Sequence, residues 1–367
     1  MKKIALVTDK MSVGGGLEHI YQITRYIDSF EFGIFGRKGP GVQKFRDLPH
    51  VKIFDEGYHF PYIEKYEPNL IHVHHLKPLL SLYNLPFISP HQPVLFTLHG
   101  AHIHKYEFVI GLVNRVKYHL RFNLEKYLFK KADQLITVSK DDHQIIKNRY
   151  QLKNVQHIPN GLDLSGKSTT SQKLKDSLRK KLQLPEGAYL FITVARFDFQ
   201  KGYDILVTAI DHFFKKNPGA DAKFIFMGSG PEKPAIQKLI SKFNLEDKIL
   251  LFDSSDRVRE FMQASDILIS PSRWEGLPYT LLEAGKFKLP VLASDTFGIR
   301  EIIDHERNGL LFANQSHAAL AEIIQQIIAG RYDMNKLVRR LYKDVKERYD
   351  SESCMKQLEG LYIKWLQ

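Results

Sequence analysis

Short apolar runs rich in Val, Ile and Phe recur along the chain at 4–8, 32–35, 51–54, 70–73, 94–97, 135–138 and 155–158. They return at 190–195, 223–227, 249–252, 267–270 and 290–294. Continuous apolar runs bounded by turn residues predict strands buried on both faces. Between several of them, apolar residues at helical spacing predict amphipathic helices, as at 18–27 and 112–131. Strands alternating with helices argue for the α/β class, with parallel sheets covered on both sides. The turn Pro159-Asn160-Gly161 and the polar run 165–181 interrupt the rhythm. The predicted organisation is therefore a doubly wound domain over 1–160, a second over 161–350, and a terminal helix over 351–367 that packs back on the first. Such sheets bind ligands beyond the carboxyl ends of their strands, so the two domains are expected to face each other across a ligand cleft.

The chain has 367 residues, 43% hydrophobic and 26% charged, enough to bury two cores. A single cysteine, Cys354, excludes a disulfide framework and a cysteine-built zinc site. No run of 18 apolar residues occurs, and the start lacks the apolar stretch of a secretory signal, so the expected location is cytoplasmic. The net charge of +12 is uneven: residues 1–160 carry 22 basic and 14 acidic side chains and 13 of the 16 histidines. A basic half suits anionic partners such as phosphates or anionic lipid, and also plain solubility. Residues 105–131 hold seven Lys or Arg against two acidic residues, with Leu112, Val113, Val116, Leu120, Leu124, Tyr127 and Leu128 as an apolar stripe. That pattern fits a peripheral element on an anionic membrane surface, or an ordinary helix covering the sheet. No nucleic-acid recognition motif accompanies the charge.

Three patterns imitate known sites. Gly161 to Ser168 matches the P-loop spacing literally, but it falls in the inter-domain turn, and the next buried strands do not end in a magnesium-holding Asp. Gly14, Gly15 and Gly16 follow the first strand like a dinucleotide fingerprint, except that His19 stands at the third glycine position. Glycines there let helix-end amides approach an anion. The run Ile71-His-Val-His-His75 is of a kind that can bind zinc, but no carboxylate or thiol stands nearby in sequence, so it reads as uncharged cleft-edge or core histidines in preference to a metal site. No Asp-x-Asp triplet occurs, so an aspartate-held metal has no obvious ligand pair.

The informative segment runs from 264 to 312. A predicted strand, 267–270, leads into the loop Pro-Ser-Arg-Trp-Glu275-Gly276-Leu277-Pro278 and then the helix beginning Tyr279-Thr280. Amides at that helix start make a phosphate site, with Pro278 suited to the first turn. Glu275 hangs beside it in the loop, and Glu283 projects from beyond the first turn. Two carboxylates around an anion site need a reason, and binding sugar hydroxyls supplies one.

Glu275 and Glu283, with seven residues between them inside EGLPYTLLEA, resemble the Glu-x7-Glu motif of the retaining family 4 glycosyltransferases with a GT-B fold. The likeness extends through the segments at Val194-Ala-Arg196 to Lys201-Gly202, Phe226-Met-Gly228, His157 to Asp163, Gly15-Gly16-Leu-Glu18, Pro290 to Asp295, Gly298 to Ile303 and Asn308 to Phe312. The resemblance implies two Rossmann-like domains and transfer of a hexose-type sugar from a nucleoside diphosphate sugar, UDP being the commonest. The implied acceptor is a glycan or lipid-linked saccharide. It implies that Arg196 and Lys201 grip the donor diphosphate, that Glu283 reads the ribose and Glu275 the transferred sugar. Gly15 and Gly16 would form the glycine loop on the diphosphate. Gly228, Gly276, Leu277, Tyr279 and Thr280 would line the donor site, with Asp256 and Val258 near the nucleobase. His99 would bond a donor hydroxyl, an assignment left open among His99, His102 and His104. No metal or other cofactor is implied. Lys288 departs from the family pattern, standing where glycine is usual, so local helix termination is expected to differ. Two rivals are a binding protein without turnover and an NAD(P)-dependent oxidoreductase using Gly14 to Gly16 and Arg37. The second leaves Glu275, Glu283, Arg196 and Lys201 without a task.

Overall fold

The computed structural model describes residues 1–12, 14–83, 90–108, 111–166, 171–255 and 257–367. They form two compact units: residues 1–163 with 349–367, and residues 164–348. The chain thus changes units a few residues away from the turn at 159–161. Leu162 bridges Asp350 and Asp163 pairs with Arg25 (3.3 Å), which keeps both residues with the first unit.

The first unit contains strands β1 (Lys3–Lys10), β2 (Glu31–Arg37), β3 (Val51–Phe54), β4 (Glu56–Gly57), β5 (Leu70–Val73), β6 (Val94–Leu98), β7 (Gln134–Thr137) and β8 (Val155–His157). Its helices before the crossing are α1 (Gly15–Tyr26), α2 (Phe60–Glu64), α3 (Leu76–Leu82), α4 (Leu112–Lys131) and α5 (Lys140–Asn148). The sheet order is β3-β2-β1-β5-β6-β7-β8, all parallel, with the two-residue β4 antiparallel on β2. Both faces are buried, which is why β1 is apolar at successive positions: Ile4 and Leu6 enter one core, Ala5 and Val7 the other.

The second unit contains β9 (Tyr189–Val194), β10 (Ala222–Met227), β11 (Ile249–Phe252), β12 (Ile267–Ser270), β13 (Val291–Asp295) and β14 (Leu310–Ala313). Its helices are α6 (Gln172–Leu182), α7 (Tyr203–Lys216), α8 (Lys233–Lys242), α9 (Val258–Ala264), α10 (Tyr279–Lys286), α11 (His317–Ile328) and α12 (Met334–Arg348). The sheet runs β11-β10-β9-β12-β13-β14, the doubly wound order 3-2-1-4-5-6. The edge strand β14 comes from the Asn308-to-Phe312 segment, which the periodicity alone did not mark as a strand. The last helix, α13 (Ser351–Leu366), returns to the first unit and buries Leu358, Leu361 and Tyr362 against Ile4, Leu6 and Phe32.

In each sheet the strand order reverses beside its first strand, between β1 and β5 and between β9 and β12. Loops leaving the carboxyl ends of strands at such a reversal diverge to opposite faces and leave a crevice. Of the residues singled out by the sequence, Arg196, Lys201 and Glu275 follow β9 and β12 and Gly15 and Gly16 follow β1, while Gly228 and His99 follow the neighbouring strands β10 and β6.

Candidate active site

In the second unit, Arg196 and Lys201 follow β9, Gly228 follows β10, and residues 271–278 follow β12. The β12 loop is buried throughout, although it carries Ser272, Arg273 and Glu275. Glu275 is 7% exposed, and its Oε1 accepts from Lys201 Nζ (2.6 Å) and Ser272 Oγ (2.6 Å). A carboxylate this deep needs such partners to offset its lost hydration. Arg273 clamps the loop from beneath: its guanidinium bonds both oxygens of Asp204 (3.0 and 2.7 Å) and the Phe199 carbonyl (2.6 Å), and lies over the Phe199 ring. The Arg273 carbonyl accepts from Thr296 Oγ1 and Asn314 Nδ2, and the Ser272 carbonyl from Ser294 Oγ.

Two glycines permit this packing. Gly202 (φ 64°) and Gly298 (φ 72°) adopt the left-handed region, and a Cβ on either would run into the carbonyl of Pro271 or Gly276 respectively. Gly228 donates its amide to Phe252 O (3.0 Å) and lies against the Ala195 carbonyl. Gly276 and Leu277 are buried, and Tyr279 and Thr280 open α10. Pro278 is the residue before the helix, not part of its first turn. Glu283 is half-buried one turn on. Arg196 is an exposed cation with Asp198 at 3.9 Å. Val258 is the first residue of α9, and Asp256 lies outside the described residues.

In the first unit, Gly15 and Gly16 form the first turn of α1. A Cβ on Gly16 would stand 3.1 Å from the His75 ring and 4.0 Å from the His99 ring, so glycine lets α1 approach both. His99 Nε2 lies 3.3 Å from His74 Nδ1, and the His19 ring sits edge-on to both. His75 Nδ1 is 3.0 Å from Thr8 Oγ1. His72 is a core histidine, held by Tyr362 Oη (2.6 Å) and Thr97 Oγ1 (2.7 Å). Burial holds the His19 imidazole down to about 4 and keeps His72 and His74 well below the ordinary range, so all three are neutral at pH 7. His104 is buried elsewhere beside Glu107. Arg37 pairs with Asp9 (2.7 Å). Of the P-loop imitation, Gly161 packs against the Ser351 backbone, while Lys167 and Ser168 lie outside the described residues.

A family model described as Glycosyl transferases group 1 matches residues 175–348, and one described as Glycosyltransferase Family 4 matches residues 14–165. The chain belongs to the family 4 glycosyltransferases. An uncharacterised glycosyltransferase of Methanocaldococcus jannaschii is 28% identical over 256 residues, 67% of this chain but only 60% of that relative's length. The N-acetyl-alpha-D-glucosaminyl L-malate synthase of Bacillus anthracis is 25% identical over 300 residues, 80% of this chain and 74% of its own. In three dimensions, the crystal structure of Anabaena Alr3699/HepE in complex with UDP-glucose matches with a TM-score of 0.82 and 20% identity, covering 99% of this chain and 100% of that one. This glycosyltransferase therefore has the GT-B fold of two doubly wound units.

Sequence reasoning missed how much of the glycosyltransferase's loop support is polar. Ser272 and Arg273 stand beside Glu275 in the chain, yet their partners Asp204, Phe199 and Thr296 are distant in sequence. His19 had a faint signal, as the residue at the vacant glycine position of the fingerprint.

Proposed function

We propose that this glycosyltransferase moves a hexose-type sugar from a nucleoside diphosphate sugar to a glycan or lipid-linked saccharide, with retention at the anomeric carbon and no required metal. The observation that carries the reading is the Lys201–Glu275–Ser272 cluster at the β12 strand end, beside the start of α10. Lys201 and the exposed Arg196 offer cations to a diphosphate whose negative charge grows as the anomeric C–O bond breaks. The α10 amides of Tyr279 and Thr280 add positive potential. Glu275 orients the transferred sugar's hydroxyls or steadies the oxocarbenium-like charge, and Glu283 bonds the ribose. Gly15, Gly16 and His99 are assigned to the donor's phosphates and sugar. The acceptor hydroxyl attacks the face the leaving group departs from, and a donor phosphate oxygen takes its proton. Protein groups then act by positioning and charge stabilisation. Uracil is the first base to test, because the matched Anabaena structure is a UDP-glucose complex.

The test begins with a melting-point screen of nucleoside diphosphates and their sugars, since a ligand of the native state raises the midpoint. Lys201→Ala should weaken the best diphosphate by about tenfold or more, the scale of one charge-assisted contact. Unchanged affinity would remove the diphosphate role. Glu275→Ala should abolish transfer while nucleotide binding largely persists. Binding without turnover by the parent protein would favour the rival of a non-catalytic binder.

The acceptor side of the proposal draws on α4. Its attachment to the core runs through Tyr118, Phe122, Leu128 and Phe129. Leu112, Val113, Val116, Leu120, Leu124 and Tyr127 are exposed, Leu112 by 77% and Leu120 by 67%. They share the helix with Arg115, Lys117, Lys130 and Lys131. We assign this face to an anionic membrane surface, where apolar residues bury among headgroups and the cations meet lipid charge. Among the described residues no helix is long and apolar enough to cross a membrane. Vesicles containing anionic lipid should pellet the protein, and neutral vesicles should not. A Leu112→Ser, Leu120→Ser double variant should lose the binding and keep its melting point. Binding unaltered by that pair, or a concentration-dependent dimer dissolved by it, would overturn the assignment.

A further inference from the structure

We propose that His19, His74 and His99 form a binding site for a divalent transition-metal ion of the zinc class. One ring nitrogen from each lies within 4.8 Å of the others. The His74 Nδ1 to His99 Nε2 separation of 3.3 Å already matches the spacing of about 3.3 Å between two ligands of a tetrahedral ion with metal–nitrogen bonds of about 2.0–2.1 Å. The His19 nitrogen, within 4.8 Å of both, must draw closer for the ion to bind.

A second observation points to a ligand. Both ring nitrogens of His19, a side chain only 1% exposed, are without a hydrogen-bond partner. A buried polar atom left unmet is costly, and an imidazole set edge-on against two others calls for a partner that accepts its lone pair. A metal ion is that partner. Burial has already made the rings neutral, so no proton must leave before they coordinate. Three imidazoles and no carboxylate select zinc, cobalt, nickel or copper over magnesium or calcium. His99 is only half-buried, so the site has an open side where water or an anion completes the coordination. The glycines of α1 contribute indirectly: Gly16 lets the helix bearing His19 come close to His75 and His99.

The site has one consequence that rests on the function proposed above. Coordination withdraws His99 from the hydrogen bond assigned to it with the donor sugar, so the occupied protein transfers more slowly than the metal-free one.

Untagged, full-length protein stripped with a chelator is titrated with Co2+ at neutral pH and followed by its visible absorption. The expected result is intense four- or five-coordinate bands that saturate at about one equivalent, are displaced by Zn2+, and are untouched by excess Mg2+. His19→Ala and His74→Ala should each raise the dissociation constant at least about tenfold, whereas His143→Ala should not change it. Should either alanine variant melt early, His19→Gln and His74→Asn make the same comparison. No bands in the parent protein, or identical titrations in the variants, would overturn the site whatever the transfer assay shows. Zn2+ should slow transfer about tenfold in the parent and much less in His19→Ala, each relative to its own metal-free rate. Co2+ bands with an unaffected rate would leave the site standing and remove only its effect on His99. Absent transfer in every sample would fall on the proposed function, not on the metal site.

Discussion

At the scale of single residues, backbone conformation explains a departure from the family pattern that side-chain chemistry could not. Lys288 was expected to end α10 differently from glycine. Instead it adopts the left-handed conformation itself (φ 52°), and Lys288 N donates to Gly285 O (3.1 Å) and Leu289 N to Ala284 O (2.8 Å). The helix stops in the usual glycine manner with a lysine carrying the strain, and the Lys288 ammonium rests 5.1 Å from the Tyr342 ring. Lys288→Gly should therefore stabilise the second unit by about 0.5–1 kcal/mol, less whatever the ring contact contributes. A lower denaturation midpoint in the glycine variant would contradict this. The motif reading marked Glu275 and Lys201, and they do meet, but nothing local shows that Ser272 shares the same oxygen. That contact depends on a loop whose shape is set by Asp204, Thr296 and Asn314.

At the scale of elements, caps and charges decide how segments sit. Ser139 caps α5: its Oγ accepts from the Asp142 amide (3.1 Å) and donates to Asp142 Oδ2 (2.9 Å), while Asp142 Oδ1 accepts the Ala101 amide (3.0 Å). Burial pushes the Asp142 carboxyl up to about 6 despite these bonds and the nearby His104, with Asp141 adding to the rise. Its folded value then lies above the ordinary carboxyl range near 4, so the native state holds more protons between about pH 4 and 6. Stability from this group is present below about pH 4 and is lost as pH rises to about 6. The loss is on the order of 2–3 kcal/mol. Asp142→Asn should flatten the melting profile across that window, and an unchanged slope would show that Asp142 does not set it. Helix α4 gives the complementary lesson. Its composition read equally as membrane face or sheet cover, and placement separated two stripes that share one sequence. Glu125, buried against Tyr150 Oη (2.5 Å) and Arg121 Nε (2.6 Å), marks the core side.

At the scale of the molecule, the first unit is completed by residues at the far end of the chain. The second unit is an insertion between Asp163 and Tyr349, after which α13 covers one face of the first sheet. Tyr362 Oη meets His72 Nδ1 across 290 positions (2.6 Å), and Ser351 Oγ donates to Gln22 Oε1 (2.7 Å). Tyr362→Phe keeps the ring packing but leaves a buried imidazole nitrogen unmet, for a cost of about 1–3 kcal/mol. The urea midpoint should fall with the slope unchanged, because the surface exposed on unfolding is the same. An unaltered midpoint would show that the bond is dispensable.

Local physics made the alternating elements and the loop at 271–278 legible, because apolar runs, turn residues and helix starts act over a few neighbours. Strand β14 escaped, since four residues with one exposed end carry little periodicity. Sheet order, the convergence of His19, His74 and His99, the polar support under Glu275 and the outward face of α4 were not legible. Each depends on which distant segments become neighbours, and that choice belongs to the packing of two whole cores.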